Sequence, residues 1–182
     1  MKIVRYQDGS LIKYGVIEGE AIREMEGDPF SHFHLSSKIK KIGEVKFLSP
    51  CLPSKIVALG LNYRDHAEEV KLPIPDKPLL FIKPSTSVIG AGEAILYPKM
   101  SKRVDYEAEL AVVIGKVAKN VSEEKAADYI LGYTCLNDVT ARDLQPKDGQ
   151  WTLSKGFDTF CPVGPWIVKD IDPHHLDVSS FL

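Results

Sequence analysis

The sequence predicts a mixed, mainly β protein in which mixed sheets are accompanied by few short helices. Short segments with a strand-like pattern recur along the 182 residues and are separated by turns rich in glycine, proline and aspartate. The helical patterns are short, and prolines follow closely on the first of them, which stops a helix. A composition of 44% hydrophobic and 26% charged residues is ordinary for a globular domain with a sizeable core, to which a small domain can be appended.

The first fifty residues are predicted to form a small N-terminal β domain, 1–50. Strands at 2–6, 13–17 and 21–25 are separated by turns at Asp8-Gly9 and Glu18-Gly19-Glu20, which is the pattern of an antiparallel meander. A polar stretch, 27–43, follows the meander. The boundary with a second domain, 51–182, is placed near Pro50.

The elements of the second domain follow from the same patterns. They are predicted in this order: a buried strand at 55–60, a short helix at 62–70, a strand at 79–83, an acid-rich strand from 105, a helix at 123–130, a strand through Cys135, a short helix at 139–145, loop and strand at 151–160, and a strand at 162–169. Ser122 and Asp138 each precede a predicted helix and are suitable N-caps.

Charge and cysteine content exclude several classes of protein. The formal net charge is −2 and basic residues form no block, which argues against a nucleic-acid or membrane partner. Three cysteines without Cys-x-x-Cys spacing argue against a disulfide framework or a zinc knuckle, and they are expected to be buried small apolar residues. The chain has neither a signal-peptide pattern nor a membrane-spanning apolar run, so a cytoplasmic protein is expected.

The acid-rich strand is the most informative segment. Strand alternation places Asp105, Glu107 and Glu109 on one face, followed there by Ala111 and Val113, while the opposite face is apolar throughout. The second half of the strand is therefore expected to be buried on both sides, with the acids at the rim. Crowded carboxylates favour a hard divalent cation, and oxygen-only ligands suit Mg²⁺, Mn²⁺ or Ca²⁺ better than zinc. The alternative is that these acids only solubilise a strand end.

Other residues suggest chemistry but have ordinary alternatives. His66 and Glu69 have i, i+3 spacing, so the carboxylate can orient the imidazole for water activation, or both can lie on an inert exposed helix. Asp138 can bind a cation or cap the helix after it. Arg142 and Gln145 would face one direction, as a substrate carboxylate requires. These two residues can equally be ordinary polar surface.

Lys155 lies in the segment Trp151-Thr152-Leu153-Ser154-Lys155-Gly156-Phe157. Aromatic and apolar neighbours can desolvate its amine and favour proton transfer. The alternative is a surface lysine whose stem lies along apolar neighbours.

Taken in order, these segments resemble the fumarylacetoacetate hydrolase family from about residue 55 to the end. The motifs that carry the resemblance are Gly60-Leu61-Asn62-Tyr63-Arg64-Asp65-His66-Ala67-Glu68-Glu69, Phe81-Ile82-Lys83-Pro84-Ser85, Asp105-Tyr106-Glu107-Ala108-Glu109-Leu110, Asn137-Asp138-Val139-Thr140-Ala141-Arg142-Asp143-Leu144-Gln145 and Trp151-Thr152-Leu153-Ser154-Lys155-Gly156-Phe157-Asp158. The family's fold is a mixed β-roll with a smaller N-terminal domain. The resemblance implies that fold here, together with a homodimer that acts on a small 2-oxo acid.

The resemblance also implies a role for each candidate residue. The implied Mg²⁺ ligands are Glu107, Glu109 and Asp138; the implied substrate-binding residues are Arg142, Gln145 and Lys155; the implied catalytic residues are His66, Glu69 and Lys155. Mn²⁺ or Ca²⁺ could replace Mg²⁺. Asp105 lies outside the matched Glu-x-Glu motif. It is expected next to the ligands or at the rim of the site, and not to bind the metal itself.

The implied reaction is the metal-dependent hydrolysis of a C–C bond in a 2,4-dioxo acid of the acylpyruvate or fumarylpyruvate type. The metal would stabilise the enolate that leaves, and His66 would activate water. Isomerisation of a 2-hydroxy-diene dioate and decarboxylation of oxaloacetate use the same site in this family and remain alternatives.

Family members normally continue past the residue that matches Leu182. The sequence is therefore expected to be a fragment or a protein that has lost part of its roll, and a non-catalytic metal-binding fragment is a further alternative.

Overall fold

Strand pairing around the first strand organises the molecule. The structure, a computed structural model, describes residues 1–69, 71, 73–147 and 149–181. In chain order its strands and α-helices are β1 (Lys2–Asp8), β2 (Leu11–Glu18), β3 (Ala21–Gly27), β4 (Phe33–Lys41), β5 (Lys46–Leu48), β6 (Ile56–Gly60), α1 (Arg64–Glu69), β7 (Leu79–Lys83), β8 (Val88–Ile89), β9 (Val104–Asp105), β10 (Ala108–Ile114), β11 (Ile130–Asn137), β12 (Thr140–Ala141), α2 (Thr152–Lys155) and β13 (Cys161–Val168). Four 3₁₀ helices accompany them, at Ile42–Glu44, Ser85–Ser87, Glu123–Tyr129 and Arg142–Leu144.

Within the described residues, nine strands form one large sheet in the order β10-β11-β13-β1-β2-β3-β4, with β5 paired to β1 and β8 to β13. Its pairings are antiparallel except that β8 runs parallel to β13. Two further pairs, β6 with β7 and β9 with β12, lie outside this sheet. The predicted fold class, a mixed, mainly β protein with few short helices, is confirmed.

The N-terminal meander follows the prediction. Strands β1, β2 and β3 pair in sequence through the expected turns. Strand β4, however, lies within the stretch interpreted as merely polar, because its side chains are mostly exposed and give no apolar alternation. Strand β1 also pairs with β13, so residues of both predicted domains share one sheet. The division into 1–50 and 51–182 stays a prediction.

The main core cluster contains residues from both predicted domains, all of them on strands of the large sheet. Its buried members are Ile3, Val16, Met25, Val113 and Ile167. Burial of such side chains is the main stabilising term of a fold of this kind. A separate cluster is formed by Val139, Ala141 and Phe160, and Val139 directly follows Asp138 in the chain.

Three predictions of burial are wrong in whole or in part. The outer face of β10 is open, with Val112 49% and Ile114 53% exposed, because only the Val113 side of this strand contacts the core. Strand β6 was expected to be buried, yet Val57 and Leu59 are about half exposed because β6 and β7 form a two-stranded hairpin with one inward face. The burial expected of all three cysteines is confirmed only for Cys161, because Cys51 is half-buried and Cys135 is exposed.

Predicted helices are confirmed in part. The helix at 62–70 is α1, although Val70 lies outside the described residues, as does Leu182 at the predicted end of the second domain. The helix at 123–130 is a 3₁₀ helix, Glu123–Tyr129. The helix at 139–145 is wrong in its first half, where β12 pairs with β9. The segment 151–160, expected to be loop and strand, contains α2, and its described residues form no strand. Across the described part of the chain, every helix is too short or too polar to cross a membrane.

Candidate active site

Lys155 is the centre of a buried cluster of charged side chains. Helix α2 carries this lysine inward, and its side chain is only 4% exposed. Its ammonium donates hydrogen bonds to Glu107 Oε2 at 2.8 Å and to Asp138 Oδ2 at 2.6 Å. The Phe81 ring lies 5.0 Å from Nζ, a distance that suits a cation–π contact. The apolar surroundings expected from the sequence are thus present, while two carboxylates compensate the charge.

Asp138 does not cap a helix, so the alternative of an N-cap is wrong. The nearest helix, Arg142–Leu144, begins after Ala141 and has no side-chain cap. Both carboxylate oxygens of Asp138 instead bind lysines, Oδ2 to Lys155 and Oδ1 to Lys83 Nζ at 2.6 Å. Its backbone N–H donates to the Glu107 carbonyl at 2.9 Å. Tertiary partners therefore occupy the oxygens that a cap would have used.

Lys83 is a member of this cluster that the sequence analysis did not assign to the site. It shares the inward face of β7 with Phe81 and is 0% exposed. Burial lowers the pKa of Lys83 against the opposing effect of Asp138. The sequence does contain a signal for this residue, because Lys83 is two positions after Phe81 and therefore on the same face of the predicted strand. A lysine on a buried face is rarely unpaired, so this position indicates a charged partner.

Arg142 links three acidic or polar side chains. Its Nε donates to Asp105 Oδ2 at 2.9 Å, one terminal nitrogen donates to Gln145 Oε1 at 2.7 Å, and the other donates to Glu107 Oε1. Burial would raise the pKa of Glu107, but Lys155 and Arg142 outweigh it and hold that pKa below its ordinary value. The predicted common orientation of Arg142 and Gln145 is therefore observed as a direct bond between them.

Glu109 has a different environment from Glu107. Its Oε2 accepts a hydrogen bond from Asn62 Nδ2 at 2.9 Å. Burial, assisted by the negative charges of Asp138 and Glu107 and opposed by that hydrogen bond, raises the pKa of Glu109 to about 7. In this arrangement the carboxyl is close to half protonated at neutral pH. Asn62 lies in the segment 60–69, and no pattern in the sequence predicts its contact with Glu109.

His66 and Glu69 form the pair that their spacing predicted. His66 Nδ1 lies 3.5 Å from Glu69 Oε2, and both side chains are solvent-accessible on α1. Two residues just before the helix tie it to the acidic strand: Asn62 binds Glu109, and the Tyr63 hydroxyl accepts a hydrogen bond from the Leu110 N–H at 3.4 Å. The helix therefore begins beside the strand that carries the acids.

Trp151 packs the end of β6 against α2. A Cβ placed on Gly60 would lie 2.3 Å from the Trp151 ring, so this glycine allows the strand end and the indole to approach closely. The indole also makes an edge contact with Phe81, with ring centroids 5.3 Å apart. The hairpin β6–β7 is thereby held against the helix that carries Lys155.

The donor chemistry of the three predicted metal ligands fits a hard divalent cation. Glu107, Glu109 and Asp138 offer only carboxylate oxygens, and burial, with the charges of Asp138 and Glu107 added to it, raises the pKa of Glu109. Each oxygen has two lone-pair sites, so an oxygen that binds a lysine can still accept a cation. Among the described residues, however, no three such side chains stand in the arrangement of a ligand set. Their assignment as metal ligands stays a prediction.

The sequence and the fold match a known family of enzymes. Residues 55–180 match the model of the fumarylacetoacetate (FAA) hydrolase C-terminal domain, and residues 1–50 match the Rv2993c-like N-terminal model. The chain belongs to the fumarylacetoacetate hydrolase family, as the motifs predicted. Homologues in this family are enzymes that include hydrolases, isomerases and tautomerases.

Two relatives illustrate the range. An uncharacterised protein of Archaeoglobus fulgidus is 62% identical over 136 residues, which are 75% of this chain and 54% of that protein. The mitochondrial oxaloacetate tautomerase fahd2 of Xenopus laevis is 46% identical over 154 residues, 81% of this chain and 47% of that protein. The chain thus spans about half the length of these relatives.

Solved structures show the same fold. The 2-hydroxyhepta-2,4-diene-1,7-dioate isomerase of Mycobacterium marinum has a TM-score of 0.85 at 42% identity, covering 95% of this chain and 68% of that one. Maleylpyruvate hydrolase of Sphingobium sp. SYK-6, in complex with manganese(II) and pyruvate, has a TM-score of 0.69 at 27% identity, covering 92% and 67%. Members of the superfamily therefore bind a divalent metal.

Proposed function

We propose that this chain carries the site of an enzyme that hydrolyses a C–C bond in a 2,4-dioxo acid, with Mg²⁺ or Mn²⁺ bound by Glu107, Glu109 and Asp138. The observation that carries the proposal is the His66–Glu69 pair at 3.5 Å, on a helix whose N-terminal flank is bonded to the acidic strand. Hydrolysis requires a base that activates water, whereas the other reactions of this family do not.

A bound divalent cation would supply Lewis acidity that stabilises negative charge on the oxygens of a 2-oxo acid. The protein residues would do the rest. Arg142 uses three of its five N–H donors on described residues, which leaves two donors for a substrate carboxylate. Gln145 fixes the direction of that guanidinium through its own bond to Arg142. Substrate would therefore bind with its carboxylate towards Arg142.

Lys155 is suited to deliver a proton to the leaving carbon. Its ammonium is held by two carboxylates inside the cluster, so its position is fixed before substrate arrives. In the proposed reaction, His66 takes a proton from water and the resulting hydroxide attacks the distal carbonyl carbon. The bond between that carbon and C3 then breaks, its electron pair passes to the 2-oxo acid fragment, and Lys155 protonates C3, which yields two acids. Glu69 orients the imidazole.

The test is turnover of an acylpyruvate with Mg²⁺ or Mn²⁺, followed by loss of the enol absorbance and by identification of the two acids formed. His66→Ala is expected to lower hydrolysis at least about 100-fold. His34→Ala is the matched control, because His34 also pairs with a glutamate, Glu26, at 3.0 Å but lies in the N-terminal sheet. Absence of turnover by the unaltered chain, or full hydrolysis by His66→Ala, would exclude this function.

Tautomerisation or isomerisation of a 2-oxo acid is the second candidate. It is favoured by the names of the relatives from Xenopus laevis and Mycobacterium marinum, and by a buried Lys155 that can transfer protons without water. Exchange of substrate C3 protons for deuterium in D₂O measures this activity. It should persist in His66→Ala and be lost in Lys155→Met, whereas release of CO₂ from oxaloacetate would indicate decarboxylation.

A further inference from the structure

Lys83 is a fully buried lysine at the edge of the candidate active site. Its side chain is 0% exposed, so it cannot touch a substrate that enters from solvent. An ammonium in such a position is retained only where hydrogen bonds and an opposite charge compensate for lost hydration. The contacts that compensate Lys83 therefore indicate what it does.

The two described partners of Lys83 lie on one short segment. Its Nζ donates to Asp138 Oδ1 at 2.6 Å and to the Val139 carbonyl at 3.2 Å. Those partners are 55 and 56 residues away, in the connection between β11 and β12. The lysine thus ties the end of β7 to the segment that presents Asp138.

The backbone of Asp138 is already fixed by other bonds. Its N–H binds the Glu107 carbonyl at 2.9 Å, and its carbonyl accepts a bond from the Thr140 hydroxyl at 3.0 Å. What remains free is rotation of the carboxylate about the side-chain torsions. Lys83 on Oδ1 and Lys155 on Oδ2 remove that freedom together, because each lysine takes a different oxygen.

We propose that Lys83 is a positioning residue that tethers Asp138 Oδ1 and thereby turns Oδ2 towards Lys155 and the acidic strand. The inference rests on the proposed function, since it treats Asp138 as a ligand of the divalent cation. Outer partners of this kind orient a ligand, and their loss weakens metal binding about 10- to 100-fold.

The experiment compares Mn²⁺ affinity, measured by electron paramagnetic resonance, in the unaltered chain and in two variants. Lys83→Met keeps the length of the stem but removes the donor and the charge, and Lys83→Gln keeps a neutral donor. Lys13→Met is the matched control, because Lys13 pairs with Glu24 at the same 2.6 Å in the N-terminal sheet. Circular dichroism establishes that each variant is folded.

Lys83→Met is expected to bind Mn²⁺ at least about tenfold more weakly, with Lys83→Gln intermediate and Lys13→Met unchanged. At saturating Mn²⁺, kcat per mole of folded protein should fall about tenfold for the 2-oxo acid while KM changes little. Partial unfolding would lower only the amount of active protein, so kcat is referred to the folded fraction measured by circular dichroism. Unchanged affinity in Lys83→Met overturns the inference alone, and absence of Mn²⁺ binding by the unaltered chain overturns it together with the proposed function. Should Lys83→Met not fold, full affinity in folded Lys83→Gln overturns the inference, and a loss of about threefold or more supports it.

Discussion

Lys155 Nζ lies 2.6 Å from Asp138 Oδ2, although the two residues belong to a short helix and to the segment between two strands. The two residues are 17 positions apart in the chain and belong to two different sequence motifs. It places a buried ammonium against a carboxylate that the sequence also allowed as a helix cap. The arrangement of the charged groups around this pair leads to four predictions, and the close packing of Gly60 against Trp151 leads to a fifth.

Lys155→Met is expected to destabilise the fold and to abolish turnover. The substitution leaves Glu107 and Asp138 without the ammonium that they share, and a buried charge that loses one partner costs about 3 kcal/mol. Urea unfolding measures that loss. Lys125→Met, in an exposed 3₁₀ helix, should change stability by less than about 0.5 kcal/mol. Equal stability of the two variants would show that the Lys155 pairs contribute nothing.

Glu109→Gln is expected to weaken Mn²⁺ binding at least about tenfold, because it removes the carboxylate of a proposed ligand without changing the size of the side chain. Asp105→Asn removes the same charge from the same acidic segment and is the control. Asp105 binds Arg103 and Arg142 rather than the cation, so its loss should change affinity less than about threefold. Calorimetry distinguishes the two, and equal effects would mean that net charge rather than ligation governs binding.

The apparent affinity for Mn²⁺ should rise with pH and level off above neutrality. The pKa of Glu109 is raised to about 7, so below that pH a proton must leave before the carboxylate can bind a cation. Affinity should then fall about tenfold for each pH unit below 7. Calorimetry in buffers of different ionisation enthalpy should detect about 0.9 protons released per ion at pH 6 and about 0.1 at pH 8. A constant affinity from pH 5.5 to 8 would contradict this coupling.

The sign of the stability effect at Glu109 is the reverse of that for an ordinary ion-paired acid. Because its pKa is raised in the folded state, the native protein holds an extra proton between pH 4.5 and 7. Stability of the metal-free protein should therefore fall as pH rises through this window. In Glu109→Gln this part of the pH dependence should be missing, as urea unfolding at several pH values will test.

Gly60→Ala is expected to cost about 1–3 kcal/mol and to lower turnover, because the added Cβ would lie 2.3 Å from the Trp151 ring and push it towards α2. Thermal unfolding and kcat together measure the effect. Gly43→Ala is the control, since a Cβ there meets no atom within 4 Å. A neutral Gly60→Ala would mean that the indole moves away without disturbing Lys155.

Local pattern was sufficient for much of the fold. Strand 79–83 and the N-terminal meander were predicted because alternation and turn residues act over a few neighbours. Strand β4 was missed because an exposed strand has no apolar alternation, and the helix expected at 139–145 was displaced by pairing of β12 with β9. Strand pairing between distant segments depends on tertiary contacts, which override local preference.

The sequence by itself determined which chemical groups this protein has and the family to which it belongs, because its motifs hold acids, an arginine, a lysine and a histidine at characteristic spacings. The tertiary structure alone decided how those charges pair. In the folded protein both carboxylate oxygens of Asp138 bind lysines from two other segments. Glu109 accepts a hydrogen bond from an amide, and its pKa is raised. Burial and long-range hydrogen bonding set those outcomes, and neither is encoded in the spacing of residues along one strand.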